Sequence, residues 1–468
     1  MKAIKAKPFF AGIHPKGMKS LSSGCVTERM PDPETAYISL SQSLGKPAVP
    51  CVEKGQKVKE GELIARADGA ISSDVFSSIA GEVVDIKPML GANGGTETYV
   101  VIKGDNSGEK TTLPPLSEPD GAAIKQRIKD CGIVGLGGAG FPAAVKVAPR
   151  TPVDTLILNG AECEPYLTCD HRLMLENTDE VARGARYIAK ALGVDKIVIG
   201  IEANKPDCIA AFEKYDDIQP VILKKQYPMG SEKHLIYVTT GRKVGIGKLP
   251  ADSGVVVQNV ATAFAVCEAV EKGKTLYERI LTVSGGAVKQ PKNLWVKVGT
   301  PVKEVVDYCG GEALPPKKVI QGGPMTGLAL STYDVYTHKT TSGILLMTEK
   351  EAAAEQPTPC LNCGMCADRC PMHLMPMQTA FYAAAGEYEL AAKLGNTIAC
   401  IECGACEYTC PAKRPLIQAI RKTKTYMRSK SSPAPIVKPV DQKGRSAPIV
   451  PLEAPEEKKS DEKEKNNG

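Results

Sequence analysis

The chain has 468 residues, of which 43% are hydrophobic and 24% are charged, and its formal net charge is +6. This composition is typical of a soluble globular protein with roughly three domains, which excludes the collagen-like, coiled-coil and wholly disordered classes. A net charge this small for the length, without an aromatic-rich basic repeat, argues against a nucleic-acid-binding protein.

The N-terminal residues predict no secretory signal peptide, because the basic start MKAIKAKPFF leads into a polar segment rather than an apolar one with a cleavage site. The most apolar stretch, residues 254–270, is interrupted by Gln258, Asn259 and Glu268 and is too short to span a bilayer. We therefore expect no transmembrane segment in this chain. We also expect its cysteines to face a reducing compartment, where clustered thiols bind metals rather than form disulfides.

Residues 1–115 are predicted to form a lipoyl- or biotinyl-like β-sandwich preceded by an N-terminal arm. Short β-type segments occur at 46–50, 62–66, 81–86 and 99–102. The sequences GQKVKEG at 55–61 and IAGEV at 79–83 resemble the lipoyl-type pattern. The hairpin between the two halves contains no lysine that could carry a prosthetic group, so we expect a structural or docking role.

Residues 116–278 alternate helical and strand patterns, which predicts an α/β domain. The expected helices cover 122–130, 142–147 and 179–192, and the expected strands cover 155–159 and 196–200. Residues 279–345 predict a compact β-grasp module with a helix over 302–309. Residues 429–468 form a tail rich in Pro, Lys, Glu and Asp, for which we expect disorder.

A glycine loop, GLGGAGFP at 135–142, satisfies the G-x-G-x-x-G pattern, which alone is a weak signal. Only residues 131–134 separate the loop from the preceding helix, which are too few for the strand that a Rossmann site needs. A Rossmann site also needs an acidic residue at the end of the next strand, and the first acid at a suitable distance, Asp154, lies at the start of that strand instead. The loop instead predicts a flexible backbone that opens a helix at Pro142. Unpaired N–H groups there could receive a phosphate, with Lys146 as counter-charge. The alternative is a tight structural turn.

Residues 346–428 contain a repeated cysteine pattern, C-x2-C-x2-C-x3-C-P, which is typical of bacterial two-cluster ferredoxins. In such runs the fourth cysteine ligates the other cluster. The first predicted 4Fe-4S cluster is thus held by Cys360, Cys363, Cys366 and Cys410, and the second by Cys370, Cys400, Cys403 and Cys406. Structural zinc is the alternative, but zinc sites normally use two separated C-x2-C pairs. The segment 378–394 is helix-like, so we expect an α-helical ferredoxin module.

The glycine loop, followed by LNGAECEP at 158–165, resembles the flavin- and NADH-binding subunit of respiratory complex I. YPMGSE at 227–232 and QNVAT at 258–262 resemble two further motifs of that family, from which Ser231 and Gln258 depart. An aromatic pair after Lys146 is also lacking. The resemblance names no catalytic residue. It implies that the FMN phosphate and ribityl chain meet Gly135, Gly137, Gly138, Gly140 and Lys146. It implies that Asn159 and Glu162 contact the flavin and that Glu164 contacts NADH near Phe141. The two further motifs are implied to contact the cofactors through Tyr227, Gly230, Glu232, Asn259 and Thr262.

The order of lipoyl-like domain, flavin domain, β-grasp module and two-cluster module resembles the RnfC family, whose members belong to the Rnf ion-translocating ferredoxin:NAD oxidoreductases. This resemblance implies a multidomain α/β protein with FMN, NAD(H) and two 4Fe-4S clusters. It implies hydride exchange between NAD(H) and FMN, followed by single-electron transfer through the clusters. The implied partners are the other Rnf membrane and iron–sulfur subunits, with ferredoxin reached through one of them. The implied location is peripheral, on the cytoplasmic side of the bacterial membrane.

Two other functions stay open at this point. One is a free-standing flavin/iron–sulfur reductase of the cobalamin-reductase type, in which the lipoyl-like domain is expected after the clusters rather than before the flavin site. The other is a non-catalytic electron-relay subunit whose glycine loop is only structural. Residues 411–430 contain no Asp or Glu and include Arg421 and Lys424, which predicts either a solvated helix face or a docking surface for an acidic partner or anionic lipid.

Overall fold

The computed structural model describes residues 1–352 and 356–431. Its first strands are β1 (Ile4–Lys5), β2 (Glu28–Arg29), β3 (Thr35–Ser39), β4 (Val49–Pro50), β5 (Lys57–Val58), β6 (Leu63–Arg66), β7 (Val75–Phe76), β8 (Gly81–Leu90) and β9 (Thr96–Gly104). Strands β3, β9, β8 and β5 form one antiparallel sheet, and β4, β6 and β7 form another. The two sheets enclose a core that includes Ile38, Ile64 and Ile102.

The next part of the chain alternates helices and strands because its apolar residues change period between 3.6 and 2. The elements are α1 (Gly121–Asp130), α2 (Ala143–Lys146), β10 (Thr155–Gly160), α3 (Cys169–Glu176), α4 (Thr178–Leu192), β11 (Lys196–Glu202), α5 (Pro206–Glu213), β12 (Ile218–Leu223), α6 (Glu232–Thr240), β13 (Val255–Asn259) and α7 (Val260–Lys272). The strands form a parallel sheet in the order β1-β12-β11-β10-β13. Leu156 and Leu158 face α4 and α7, while Ile157 faces α6.

The N-terminal arm joins two sheets outside the barrel domain. Strand β1 pairs in parallel with β12 at the edge of the parallel sheet. Strand β2 pairs with β15 (Lys292–Lys297) of the β-grasp module. The arm therefore ties together parts of the chain that lie more than 200 residues apart in sequence, as in the pair Ile4 and Val221.

The β-grasp module contains β14 (Glu278–Ser284), β15 (Lys292–Lys297), α8 (Val302–Tyr308), β16 (Lys318–Gln321), β17 (Leu328–Leu330), β18 (Gly343–Met347) and the short α9 (Glu349–Ala352). Its sheet has the order β17-β16-β18-β14-β15-β2. Val302, Val305 and Val306 of α8 pack on buried Leu281 and Ile344 of the sheet. Apolar residues at helical spacing thus cover one face of the sheet.

The C-terminal module is helical, with α10 (Met365–Asp368), α11 (Pro376–Ala384), α12 (Tyr388–Leu394), α13 (Ala405–Tyr408) and α14 (Leu416–Ser431). The expected helical segment 378–394 consists of two helices, because the chain turns at Gly386, whose φ of +80° is costly for other residues. The expected tail begins within α14, so its first three residues are helical, and 432–468 lie outside the described residues. Within the described ranges no helix combines the length and apolarity of a membrane span.

Lys339 ties three parts of the fold together. Its buried ammonium donates to the carbonyl oxygens of Asp74 in the barrel domain and Gly132 before the glycine loop, both at 2.8 Å. Burial lowers the pKa of Lys339 to about 7, although Asp74 and Cys131 oppose this shift. The two carbonyls hold the barrel domain and the β-grasp module against the start of the glycine loop.

Because α4 and α7 cross closely, we predict that a single added methyl group at the crossing lowers the free energy of unfolding strongly. A Cβ added to Gly184 would lie 1.8 Å from the carbonyl oxygen of Ala263, so the Gly184→Ala variant must separate the two helices. We expect a loss of about 3 kcal/mol in the free energy of unfolding, measured by chemical denaturation. Lys190→Ala, at an exposed position of the same helix, is the control and should change stability little. Equal stability of the two variants would contradict the close crossing.

Candidate functional site

A cleft of about 770 Å³ lies at the carboxyl ends of the central parallel strands, where ligands of open α/β sheets usually bind. The glycine loop and the ends of β10 and β13 form one wall. Residues 321–328 and 338–342 of the β-grasp module and the tip of the β8–β9 hairpin form the other. The volume is within the range of cofactor sites.

The glycine loop is a turn between α1 and α2 with no strand before it, as its spacing predicts. Gly135 N donates to Phe141 O at 2.8 Å, and Gly138 and Gly140 have φ values of +109° and +63°. A Cβ on Gly138 would meet open space, and one on Gly137 would contact Asn259 at 3.4 Å. The loop thus presents bare backbone to the cleft. The expected helix at 142–147 is a single turn.

Lys146, the expected phosphate counter-charge, has a partner within the chain. Its Nζ lies 2.7 Å from Glu232 Oε1 and 3.2 Å from the carbonyl oxygen of Val257. Glu232 also lines the cleft. A phosphate that binds here must therefore share Lys146 with Glu232 or displace it.

The loop after β10 brings the expected acidic residues to the cleft. Asn159 Nδ2 donates to Gly230 O at 2.8 Å, which connects β10 to the YPMGSE segment. Glu162 Oε1 accepts a bond of 2.7 Å from Asp170 N at the start of α3, and its Oε2 lies 3.5 Å from Lys19 Nζ. Glu162 thus occupies the N-terminus of α3, where a negative charge is favoured.

Glu164 is bound to the β-grasp module rather than pointing freely into the cleft. Its carboxylate accepts hydrogen bonds from Met325 N, at 3.0 Å, and from the hydroxyl of Thr326. Burial raises the pKa of Glu164, while these two donors lower it. Glu164 can contact a ligand only while it holds the 322–327 loop in place.

Two residues of the expected set connect the cleft to neighbouring elements. Asn259 caps α7 through Oδ1, which accepts from Ala261 N at 2.8 Å, and its Nδ2 donates to Asp170 Oδ2 at 2.7 Å. Tyr227, which precedes a cis peptide bond to Pro228, donates from its hydroxyl to Cys403 O at 2.8 Å.

Most of the sequence-predicted flavin and NADH residues are brought to one cavity. All of them line the cleft except Gly140 and Thr262. Those two hold the glycine loop from behind, since Gly140 O accepts from Leu44 N and Thr262 Oγ1 accepts from Leu136 N, both at 2.9 Å. Gly140 and Thr262 therefore shape the glycine loop and do not line the cleft.

Sequence reasoning missed Asp170 as a site residue. This side chain lines the cleft and is largely buried, and burial together with the nearby Glu162 raises its pKa to about 6. Its sequence context, within one turn of a helix start and without a motif of its own, offers no signal for this role.

Gln258 is notable from sequence only as a departure from the complex I pattern. In the structure it is 2% exposed and lines the cleft, and neither atom of its side-chain amide has a hydrogen-bond partner. Unpaired buried amides destabilise a fold, so this one indicates a missing ligand. A flavin, with hydrogen-bond donors and acceptors along its ring and ribityl chain, fits such a group beside a bare glycine loop.

Four of the eight clustered cysteines line one apolar cavity: Cys370, Cys400, Cys403 and Cys406. Burial, with the neighbouring thiols, raises the pKa of Cys403 to about 12. Cys366 and Cys410 lie in a hydrophobic cluster that also contains Cys400 and Cys406, while Cys360 and Cys363 are exposed. The division of the eight thiols between two clusters stays a prediction.

The chemistry of the donor set fits iron–sulfur clusters. Eight cysteines in two C-x2-C-x2-C-x3-C runs offer two sets of four thiolates, the number and type of ligand that two 4Fe-4S clusters need. One of these sets lines a single cavity. Structural zinc sites normally use two separated C-x2-C pairs around one ion.

Three basic residues of the segment 411–430 form ion pairs within the same module. Glu402 accepts from Lys424 Nζ at 2.7 Å and from Arg421 Nε at 3.1 Å, and Lys430 pairs with Glu389. Lys424 also donates to Cys400 O at 2.6 Å. Arg421 and Lys424 thus hold the segment around Cys400, and the docking surface stays a prediction.

Comparison with known protein families confirms the expected order of domains. The RnfC barrel sandwich hybrid domain matches residues 7–107, and the Nuo51 FMN-binding domain matches 128–268. The SLBB domain matches 280–329, and the 4Fe-4S dicluster domain matches 359–414. The chain is therefore an oxidoreductase subunit that carries FMN and two 4Fe-4S clusters.

Similar proteins identify the family. The relative in Clostridium ljungdahlii, which belongs to a proton-translocating ferredoxin:NAD(+) oxidoreductase complex, is 44% identical over 90% of this chain and 94% of its own length. The relative in the Na(+)-translocating complex of Acetobacterium woodii is 40% identical over 90% and 97%. The relative in the ion-translocating oxidoreductase complex of Rhodobacter capsulatus is 41% identical over 82% and 76%. This chain belongs to the RnfC family of the Rnf ion-translocating ferredoxin:NAD oxidoreductases.

Among solved structures, a NAD+-reducing [NiFe]-hydrogenase chain in the air-oxidised state aligns with 64% of this chain and 63% of its own length. Its TM-score is 0.45 and its sequence identity 21%, below the level that defines a shared fold.

The unpaired amide of Gln258 generates a prediction about FMN. In the Gln258→Met variant, the apoprotein should be as stable as the wild type or more stable, because an unsatisfied buried amide is removed. FMN affinity should fall about tenfold, or about 1.4 kcal/mol, measured by fluorescence titration of the apoprotein. Gln126→Met, on the exposed face of α1, is the control. Unchanged FMN affinity in Gln258→Met would contradict the assignment.

The buried carboxyl of Asp170 predicts a pH-dependent stability. Because its folded-state pKa of about 6 lies above the ordinary value of 3.8, the folded protein binds this proton more tightly and loses stability as pH rises between these values. The Asp170→Asn variant should exceed the wild type by up to about 3 kcal/mol at pH values above 6 and by little below 4. Thermal unfolding across this range measures the difference. Asp195→Asn, an exposed carboxylate, should reproduce the wild-type pH dependence.

Proposed function

We propose that this chain is the NAD(H)- and FMN-binding electron-entry subunit of a membrane-associated ferredoxin:NAD oxidoreductase. The proposal rests on a cavity wall that the glycine loop and the cysteine-rich segment share. Ile401 and Cys403, from the second cysteine group, line the same cleft as the glycine loop. One cavity therefore joins a nucleotide site to a cluster ligand.

When bound, FMN supplies the ability to exchange a hydride with NAD(H) and single electrons with iron–sulfur clusters. The chain's own residues would hold it in the cleft. The glycine loop offers backbone N–H groups, Gln258 an unpaired amide, and Asn159 an amide fixed by Gly230. Glu164, fixed by the 322–327 loop, faces the remaining space, which we assign to NAD(H).

The two cysteine groups differ in their exposure, which suggests an order of electron transfer. Cys403 is 8% exposed and its carbonyl accepts from Tyr227 at the cleft, whereas Cys360 and Cys363 are exposed. We therefore assign the cluster of Cys370, Cys400, Cys403 and Cys406 to the flavin side. The cluster of Cys360, Cys363, Cys366 and Cys410 would exchange electrons with another protein of the complex.

Exposed apolar side chains of the helical module support contact with a partner. Leu361, between Cys360 and Cys363, is 64% exposed, and Phe381 of α11 is 69% exposed. Contiguous exposed apolar surface typically marks an interaction site. We propose that other subunits of the complex cover this surface at the cytoplasmic side of the membrane. Relatives named for H+ and for Na+ translocation are similarly close, so we assign the ion path to those other subunits.

The alternatives are less consistent with these observations. The RnfC barrel sandwich domain precedes the flavin domain, an order opposite to that expected for a cobalamin-reductase-type protein. A relay subunit with a purely structural glycine loop leaves the unpaired amide of Gln258 without a reason.

Anaerobic titration with NADH tests the proposed function. We expect holoprotein with reconstituted clusters and FMN to show flavin bleaching and EPR signals of reduced clusters, in proportion to dithionite reduction. In Cys403→Ala, NADH should still bleach the flavin while cluster reduction is lost. In Cys363→Ala, the flavin-side cluster should still be reduced. A wild-type holoprotein in which NADH bleaches nothing would overturn the proposal.

A further inference from the structure

A second cavity, of about 160 Å³, lies beside the cleft. Cys163 and Tyr227 line both spaces and form the partition between them. Glu202 and Lys19 line the inner part of the second cavity. Its mouth is formed by three exposed polar residues, His14, Asn204 and Lys225. The volume suffices for several waters, since each takes about 30 Å³ of liquid volume.

Glu202, the last residue of β11, is 3% exposed and has few partners. Its carboxylate accepts from Asn204 Nδ2 at 3.2 Å and lies 3.9 Å from Lys205 Nζ. Lys205 is itself engaged with the carbonyl oxygen of Ala161 at 2.7 Å. Burial raises the pKa of Glu202. Glu202 is thus a buried carboxyl held by a hydrogen bond from Asn204 and a long ion pair with Lys205, and an apolar residue here would leave the buried Lys205 without that pair.

Lys19 connects the second cavity to the cleft. Its Nζ lies 3.5 Å from Glu162 Oε2, an oxygen without a hydrogen-bond partner, and it donates to Glu164 O at 3.0 Å. The charged groups that face Glu202 are Lys19, Lys205 and Glu162, which come from three different segments. Lys19 thus contacts Glu162 of the cleft and shares the lining of the second cavity with Glu202, and waters in that cavity can bridge the space between Lys19 and Glu202.

The proposed reaction releases a proton that must leave the cleft. Oxidation of one NADH by two clusters gives NAD+, two singly reduced clusters and one proton, and the reverse reaction takes up one proton. The electrons leave through cysteine ligands, but iron–sulfur clusters carry no proton. One proton must therefore cross between the cleft and solvent for every hydride.

We propose that Glu202 and the second cavity relay this proton between the flavin cleft and solvent, with Lys19 as a positioning residue that holds Glu162 at the inner end. This inference rests on the proposed function. It adds a task for a buried carboxyl that touches neither nucleotide, and it places the proton exit on the side of the cleft formed by the N-terminal arm.

Stopped-flow measurement of the holoprotein tests the relay. NADH is mixed with oxidised holoprotein in weak buffer, while flavin absorbance, cluster absorbance and a pH-indicator dye are followed. In the wild type, proton release should keep pace with cluster reduction. In Glu202→Gln, which keeps shape but cannot ionise, proton release should lag by about tenfold or more and show a solvent deuterium isotope effect, while flavin bleaching is unchanged. Glu202→Asp should restore most of the wild-type rate, and Glu271→Gln, on α7 away from the cleft, is the matched control.

Infrared difference spectra of reduced minus oxidised holoprotein give a readout independent of turnover. A carboxylic-acid C=O band that is present in the wild type and lost in Glu202→Gln is the expected result. Proton release that stays synchronous in Glu202→Gln, with an unchanged carboxyl band, would overturn the relay while leaving the proposed function intact. A wild-type flavin that NADH does not bleach would instead overturn the proposed function.

A second variant, at the cavity mouth, tests the relay independently in case Glu202→Gln does not fold. Asn204 is exposed and supplies the hydrogen bond to Glu202, so Asn204→Leu should fold and place an apolar side chain at the mouth. The same lag in proton release is expected. Synchronous release in Asn204→Leu would count against this exit.

Discussion

The parallel pairing of β10 with β13 is the constraint on which the site depends. Asn159 lies beside Asn259 in this register, so two chain segments about 100 residues apart leave the sheet at the same edge. Backbone groups at such an edge lack strand partners and are bound by side chains instead. Glu162 caps α3, Asn259 caps α7, and Asp170 joins the two caps. Polar groups therefore concentrate at this edge before any ligand is considered.

Modules from different parts of the chain contact one another at this edge of the parallel sheet. The β-grasp loop is held by Glu164, the helical module by Tyr227, and the start of the glycine loop by Lys339. Each contact uses a hydrogen bond from or to a backbone group that would otherwise be buried and unpaired. Because such groups are costly to leave unsatisfied, the modules have little freedom to move apart. A nucleotide site and a cluster ligand are thereby kept on one cavity wall.

Much of this was predictable from sequence, since the informative features are local. The cysteine spacing alone groups Cys370 with Cys400, Cys403 and Cys406, and the short, mostly apolar segment TLILN at 155–159 predicts β10. Residues whose role depends on distant partners were not predictable. Asp170 acquires its raised pKa from burial against Glu162, and Gln258 is notable only because nothing in the folded chain reaches its amide. The pairing of Lys146 with Glu232 joins residues 86 positions apart, which no local pattern reveals.

The N-terminal arm has a consequence for the order in which the protein can fold. Its two short strands pair with β12 and β15, in the pairs Ile4 with Val221 and Glu28 with Leu294, so each strand finds its partner only after more than 200 further residues have been synthesised. Lys19, between those strands, likewise meets Glu162 late. Pairing over such distances slows folding, because the loop entropy is lost before the contact forms. The arm therefore adds a strand to the edge of each of two sheets whose other strands come from much later in the chain, so its attachment depends on the prior assembly of both.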